Sequence, residues 1–180
     1  MLFIYRGATS MGMGYKITSE PFFIGASVTM TAADAYTQAT ISAPLDSLNR
    51  EGLLIHAVYF TASQPERIVN ANSSVTIQLT STSKTALVQA NDANLIAKRE
   101  SIVLGGAAEF SGPHIEDFIG QEGPFEKMDN LGIVATDDLF LSMDSVNQVS
   151  AKSGQVRVVC SRIRMDADTY AALVTNELSS

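Results

Sequence analysis

The chain has 180 residues, of which 46% are apolar and 17% are charged. This composition predicts one packed globular domain rather than a disordered chain. A single cysteine, Cys160, excludes a disulfide framework, and two histidines disfavour a histidine-rich metal site. The formal net charge is −7, and the 12 basic residues are scattered. We therefore expect no strong direct binding to a nucleic-acid backbone. No apolar run approaches the roughly 20 residues of a membrane-spanning helix, so no transmembrane segment is expected.

The first 20 residues differ from the rest of the chain. An apolar tip of Leu2, Phe3, Ile4 and Tyr5 precedes the glycine-rich stretch GATSMGMG. Because glycine loosens the backbone, we predict a flexible N-terminal arm (1–20) whose tip contacts a neighbouring copy of the chain. The alternative is an ordinary frayed terminus or a first strand of the sheet.

From residue 21 onward, hydrophobicity mostly follows a period of two, which is typical of strands. Eight segments are predicted to be strands: 22–31, 36–42, 53–61, 75–80, 95–104, 131–136, 139–143 and 155–165. In one of them Val75, Ile77 and Leu79 should face the core, while the polar residues between them face water. Segment 53–61 is apolar at nearly every position, which predicts a strand covered on both faces. Its alternate residues would then share one face: Leu53, Ile55, Ala57 and Tyr59.

Residues 105–130 break the strand pattern with five glycines, two prolines and six acidic residues. Long excursions of this kind in compact domains are often functional. We predict a long loop that apolar side chains hold against a surface. These side chains, together with the arm tip, are the candidate inter-subunit contacts: Ile115, Phe118, Ile119 and Phe125.

The last segment changes to a helical period. Residues 166–178 place one stripe of side chains on a helix: Tyr170, Leu173, Val174, Glu177 and Leu178. Asp166 suits the N-cap position, and Met165 with Tyr170 would form a hydrophobic staple. About eight short strands and one C-terminal helix predict an antiparallel sandwich or barrel.

Candidate chemical groups are few. His56 lies in an apolar strand, where a buried, hydrogen-bonded histidine is the expected state. Cys160 on the last strand is expected to be a small core residue. His114 lies near Glu116 and Asp117, but one imidazole with two carboxylates is too common a loop composition to predict a metal site. We therefore predict no catalytic, cofactor or metal site.

Two groups of charged and polar residues, one acidic and one mostly basic, each have a structural and a functional interpretation. Asp137, Asp138 and Asp144 lack the spacing of a calcium-binding hand, so a turn is expected at the first two. The last strand carries several polar residues that form either a cationic stripe facing an acidic neighbour or an exposed strand face. They are Arg157, Ser161, Arg162 and Arg164.

The eight-strand spacing from Phe22 to Met165 and the segment LGIVATDDLFLSMD at Leu131–Asp144 resemble single jelly-roll capsid proteins of tailless icosahedral viruses. The ending RMDADTYAALVTNELSS is similar to environmental, marine virus sequences. The resemblance implies an antiparallel jelly-roll β-sandwich of two four-stranded sheets with a short C-terminal helix. It divides the chain into an arm (1–20), a jelly-roll domain (21–165) and a helix (166–180).

The function implied by the resemblance is structural. Many copies would assemble into an icosahedral shell, with copies of the chain and other capsid proteins as partners and the virion as location. No enzymatic activity or cofactor is implied. The arm departs from a genome-binding pattern because residues 1–20 contain only Arg6 and Lys16 against Glu20. This favours a second protein layer or a membrane beneath the shell, or a genome neutralised by other cations.

Two other classes stay open. The first is a phage fibre, decoration or carbohydrate-binding β-sandwich module, although the chain has no tryptophan and only five tyrosines for an aromatic platform. The second is an enzyme of the cupin kind, which would need two or three converging histidines where this chain has His56 and His114.

Overall fold

The computed structural model describes residues 14–106, 114–119 and 130–178. Within these ranges the chain forms ten strands, a short 3-10 turn at Ser47–Asn49 and one helix. The strands are β1 (Tyr15–Ile17), β2 (Phe22–Thr29), β3 (Thr37–Ser42), β4 (Glu51–Ala62), β5 (Ser73–Thr80), β6 (Leu95–Val103), β7 (His114–Ile119), β8 (Gly132–Val134), β9 (Asp138–Val146) and β10 (Ser153–Met165). The helix is α1 (Ala167–Leu178).

The strands form two antiparallel sheets. Sheet A has the order β1-β10-β4-β8, with β2 also on β10, and sheet B has the order β3-β9-β5-β6-β7. The pairing is nested, since β2 pairs with β10, β3 with β9, β4 with β8 and β5 with β6. The additional pairing of β4 with β10 and of β5 with β9 joins these nested strand pairs into two sheets. The fold is therefore an antiparallel jelly-roll β-sandwich with a C-terminal helix, as predicted.

The core lies between the inner faces of the two sheets. Sheet B contributes Val75, Ile77 and Leu79 from β5, all of which are fully buried as predicted. The end of β10 approaches Ile77 closely at Gly154, where an added Cβ would lie 2.6 Å from the Ile77 Cδ1 atom. Glycine at position 154 therefore lets the two sheets close over this isoleucine.

The face assignment predicted for β4 is wrong in its second half. The register between β4 and β10 shifts at His56, because Val159 lies opposite Ala57 and Cys160 lies opposite Ile55. This β-bulge reverses which residues point inward. Leu53 and Ile55 enter the core before the bulge, and Val58 and Phe60 enter it afterwards, so Ala57 and Tyr59 point outward.

The polar face of β5 is not in water, contrary to the prediction. Thr76, Gln78 and Thr80 are buried, because residues 81–94 lie over the outer side of sheet B. The Gln78 side-chain oxygen accepts a hydrogen bond from the Val88 amide at 3.0 Å, and the Thr80 hydroxyl donates to the Thr82 carbonyl at 2.8 Å. The period-two pattern of the sequence correctly predicted the strand, but it did not predict that another segment covers the outer side of that strand.

The C-terminal helix begins with the predicted cap. The Asp166 Oδ1 atom accepts the Thr169 amide at 2.7 Å, and this hydrogen bond lowers the pKa of the Asp166 carboxyl. Met165 and Tyr170 belong to one apolar cluster, as the staple requires. The helix covers part of the outer face of sheet A, where these residues cluster: Tyr15, Leu54, Ile133, Ala135, Ile163, Met165, Tyr170, Leu173 and Val174.

All eight predicted strands are present, and no strand end is shifted by more than three residues. Two strands are additional. Residues 15–17, predicted as arm, form β1 on the edge of β10, and residues 114–119, predicted as loop, form β7 on the edge of β6. The three-part division of the chain otherwise stays a prediction.

The burial of Ile77 predicts the stability of the sandwich. Ile77 is 1% exposed, so Ile77→Ala should lower the free energy of unfolding by about 2–5 kcal/mol through lost transfer energy and a residual cavity. Urea unfolding followed by circular dichroism measures this. The control is Val146→Ala at an exposed position of β9, which should change stability by less than about 0.5 kcal/mol. Equal effects of the two substitutions would contradict the described core.

Candidate assembly surfaces

The outer face of sheet A is covered by α1 over one half only. The other half, here called the open face, consists of outward-facing side chains of β2, β4 and β10. Phe23 is 60% exposed and Tyr59 is 39% exposed, and in the described ranges no element packs over them. The surface is concave, with a volume of about 560 Å³, and is lined by Phe23, Tyr59, Thr61, Gln155, Val156, Arg157 and Val159.

Arg157 organises the open face. Its side chain projects between β2 and β4, because it lies opposite Gly25 on one side and Tyr59 on the other. The guanidinium carbon lies 3.9 Å from the centroid of the Phe23 ring. A cation–π contact at an exposed site contributes about 0.5–1 kcal/mol, so it fixes the ring but does not remove it from water. The open face therefore presents two exposed aromatic rings, Phe23 and Tyr59, and is a candidate contact surface.

Two further exposed apolar side chains lie on opposite faces of β7, at the edge of sheet B. Ile115 is 44% exposed and Phe118 is 42% exposed. The Arg99 side chain holds this strand, with its guanidinium 5.3 Å from the Phe118 ring centroid and 2.7 Å from the Glu116 carboxylate. The edge strand is therefore anchored on one face, and among the described strands only β6 pairs with it.

The predicted contact residues do not form one surface. On β7, Ile115 and Ile119 point to one side of the strand and Phe118 to the other, because side chains alternate along a strand. Phe125 and the arm tip (Leu2, Phe3, Ile4 and Tyr5) lie outside the described residues. Sequence reasoning missed Phe23 and Tyr59, and it grouped Arg157 with Arg162 and Arg164 instead of with these rings. Tyr59 is exposed because of the bulge at His56. The sequence does not reveal this bulge, because residues 53–61 are apolar at nearly every position.

The two histidines each bind a serine. The His56 Nε2 atom lies 2.9 Å from the Ser161 Oγ atom across β4 and β10. The His114 Nε2 atom lies 2.6 Å from the Ser101 Oγ atom and 3.8 Å from a Glu116 oxygen. Asp117 points to the opposite side of β7, so the three groups of the PHIED segment do not converge.

Cys160 is a core residue. It is completely buried among the apolar side chains of the sandwich. Burial raises the pKa of the Cys160 thiol to about 11, against a smaller lowering by Arg162. A thiol with a raised pKa is a poor nucleophile at neutral pH.

The acidic and basic groupings are separated by the fold. Asp138 and Asp144 lie six residues apart on β9, about 20 Å along the strand. In residues 14–106, 114–119 and 130–178, no three histidine, cysteine or acidic side chains are placed to hold a metal ion. The four polar residues singled out on the last strand form neither the cationic stripe nor the exposed strand face that the sequence left open. Arg157 points to the outer face, whereas Arg162 has the opposite orientation and binds Glu51 at 2.9 Å, and Ser161 is buried.

One ionic cluster fastens the 63–72 segment to the turn before β10. Glu66 accepts hydrogen bonds from the Lys152 ammonium at 2.6 Å, from the Val149 amide at 2.7 Å and from the Ser150 hydroxyl. These bonds, led by the one from Lys152, lower the pKa of Glu66 to about 2. The cluster is structural, since it closes one end of the sandwich beside the open face.

No protein-family model and no curated protein matches the sequence. Two solved structures are similar in their chain path. A chain of Desmodium yellow mottle tymovirus is 12% identical with a TM-score of 0.30, and the match covers 82% of this chain and 90% of that one. A chain of turnip yellow mosaic virus is 12% identical with a TM-score of 0.26, and the match covers 83% of this chain and 95% of that one.

Among the described residues, α1 is too short and too polar to cross a membrane.

The Glu66 cluster predicts a specific acid sensitivity. Since the folded-state pKa of Glu66 lies below its ordinary value of 4.5, the ion pair stabilises the fold above pH 4.5 and is lost as the pH falls through about 2. Glu66→Gln should therefore lower the melting temperature at pH 7. The difference from the parent should shrink between pH 4.5 and pH 2.

Thermal unfolding from pH 7 down to pH 2 measures this, with Glu20→Gln as a control because Glu20 is exposed. A difference between Glu66→Gln and the parent that stays constant over the whole pH range would contradict the assigned ion pair.

Proposed function

We propose that this chain is a viral capsid subunit that assembles with copies of itself into an icosahedral shell. The observation that carries the proposal is the open face, an ordered aromatic patch on a jelly roll whose core is otherwise closed. Burial of its two rings, Phe23 and Tyr59, by a partner would remove apolar surface from water and favour association. The family that the sequence resembles supplies that partner as further copies of the same chain.

The arm supports the same proposal. Four consecutive apolar residues at 2–5 lie beyond a glycine-rich stretch, outside the described residues. Each would contribute about 1.5–3 kcal/mol if fully buried. Burial against a second copy would turn this sequence feature into an assembly contact, and shell formation repeats such a contact around every subunit.

The charges support a protein shell that does not itself grip the genome. Four basic side chains of the described ranges bind carboxylates of the same chain, at 2.6–3.2 Å. These pairs are Lys84–Asp92, Arg99–Glu116, Lys152–Glu66 and Arg162–Glu51. Basic groups that are already paired release few counterions from nucleic acid. Other capsid proteins or another layer would then face the genome.

One observation favours a second candidate, a fibre, decoration or carbohydrate-binding module. The open face combines two aromatic rings, Phe23 and Tyr59, with polar groups of Gln155 and Thr61. Sugars bind to such mixtures of flat apolar and hydrogen-bonding groups. A module of this class would stay a small oligomer and bind glycans through Tyr59, whereas a capsid subunit would form particles.

The arm predicts how assembly depends on the N-terminus. Deletion of residues 1–13 should leave the fold intact, because β1 and the hydrogen bond from the Asp166 amide to the Gly14 carbonyl are kept. The shortened chain should melt within a few degrees of the parent but form fewer or smaller assemblies. Light scattering and electron microscopy of both chains measure this.

A matched control keeps the length of the arm and changes its chemistry, with Leu2, Phe3, Ile4 and Tyr5 each replaced by serine. This variant should behave like the deletion. A parent chain that stays monomeric at high concentration would contradict the capsid proposal. Particles that form equally well without the arm would contradict the role of the arm alone.

A further inference from the structure

One edge of β2 lies at the border of sheet A. On one side β2 pairs with β10 over eight residues, and on its other side no strand of the described ranges pairs with it. Its sequence, FFIGASVT, contains no charged residue and no proline. Natural edge strands usually carry lysine, proline or a bulge that blocks pairing with another chain. This edge therefore has the properties of an acceptor for an additional strand.

The inner face of β2 is apolar, its outer face carries one aromatic ring among small and hydroxyl residues, and both faces are incompletely covered at this edge. On the outer face stands Phe23, the most exposed aromatic ring of the described residues. On the inner face Phe22, Ile24 and Ala26 contact the core but are only partly buried. A cavity of about 120 Å³ separates Phe22 and Ile24 from residues 42–45. A strand added here would bury apolar side chains on both of its faces.

The arm tip has the matching pattern. Leu2, Phe3, Ile4 and Tyr5 are four consecutive apolar residues, so an extended backbone would place two side chains on each face. An ordinary amphipathic strand would leave one of these faces polar. Apolar residues on both faces are useful only where both sides of the acceptor sheet are open, which is the condition at the β2 edge.

The length of the arm allows it to reach another molecule. The described chain begins at Gly14, beside the N-terminus of α1, where its carbonyl accepts the Asp166 amide at 2.9 Å. Residues 6–13 between this anchor and the tip span up to about 26 Å when extended. That is well beyond the 4.8 Å or so that separates neighbouring strands, so the tip is not confined to its own sheet.

We propose that residues Leu2–Tyr5 of one copy add as a strand to the free edge of β2 in a neighbouring copy. Two of the tip side chains would pack beside Phe23, and the other two would fill the inner edge beside Phe22 and Ile24. The added backbone would pair with the unpaired edge groups of β2. This inference rests on the proposed capsid function and names the surface that receives the arm.

Disulfide trapping tests the contact. One set of chains carries Phe3→Cys, and a second set, with a mass tag, carries either Gly25→Cys or Ser27→Cys on the outer face of β2. Both acceptor positions are exposed, and an added Cβ at Gly25 would meet only the Val156 carbonyl at 3.8 Å. The native Cys160 is kept because it is buried. The matched control acceptor is Thr40→Cys, exposed on β3, which is the edge strand of sheet B.

The two sets are mixed, assembled and mildly oxidised, and disulfide-linked heterodimers are measured on a non-reducing gel. We expect at least tenfold more heterodimer with a β2 acceptor than with Thr40→Cys. Heterodimer at the level of the control would overturn the inference. So would a chain carrying both Phe3→Cys and Ser27→Cys that links only to itself, because the arm would then dock on its own sheet.

Electron microscopy of the same mixtures separates the two proposals. Shells without β2 cross-links would overturn the inference and leave the capsid function supported. Cross-links at β2 in small oligomers that form no shell would support the inference and overturn the capsid function. Neither shells nor cross-links would overturn both.

Discussion

The pairing of β4 with β10, interrupted by one extra residue at His56, is the constraint on which the rest of the surface depends. β10 keeps a regular alternation along its length, while β4 changes its inward residues from odd to even numbers at the bulge. Leu54 therefore points outward before the bulge, where α1 covers it, and Tyr59 points outward after it, where nothing in the described ranges does. The one extra residue thus determines both which side chains pack under α1 and which side chains form the open face.

The two halves of the outer face of sheet A have different energetic roles. Under α1, the apolar side chains of Leu54, Ile163 and Met165 are buried within the chain and stabilise the fold of the monomer. On the open half, no element of the described ranges buries Phe23 and Tyr59. In the proposed shell this arrangement would separate folding from assembly, because the core closes without contacts from a neighbour.

The sequence predicted the positions of the strands better than their surroundings. Val75, Ile77 and Leu79 follow a strict alternation, and each is buried as expected. The run 53–61 could not reveal its bulge, since every shift of register still places apolar residues on both faces. β7 was hidden because glycine and proline flank His114–Ile119 in the sequence. The β2 edge was also out of reach, because which strands are edges is decided by pairing between distant segments.

The balance of energies in the proposed arm contact favours many weak contacts over one strong contact. Ordering four residues costs about 1–2 kcal/mol each in backbone entropy, and burying their side chains contributes about 1.5–3 kcal/mol each. At the middle of these ranges the difference is about 3 kcal/mol in favour of the contact, and the net charge of −7 on every copy opposes association. A single contact of this size would be readily reversible. A closed shell would repeat this contact around every subunit, so the stability of the shell would come from the large number of contacts. A misplaced subunit could still dissociate before the shell closes.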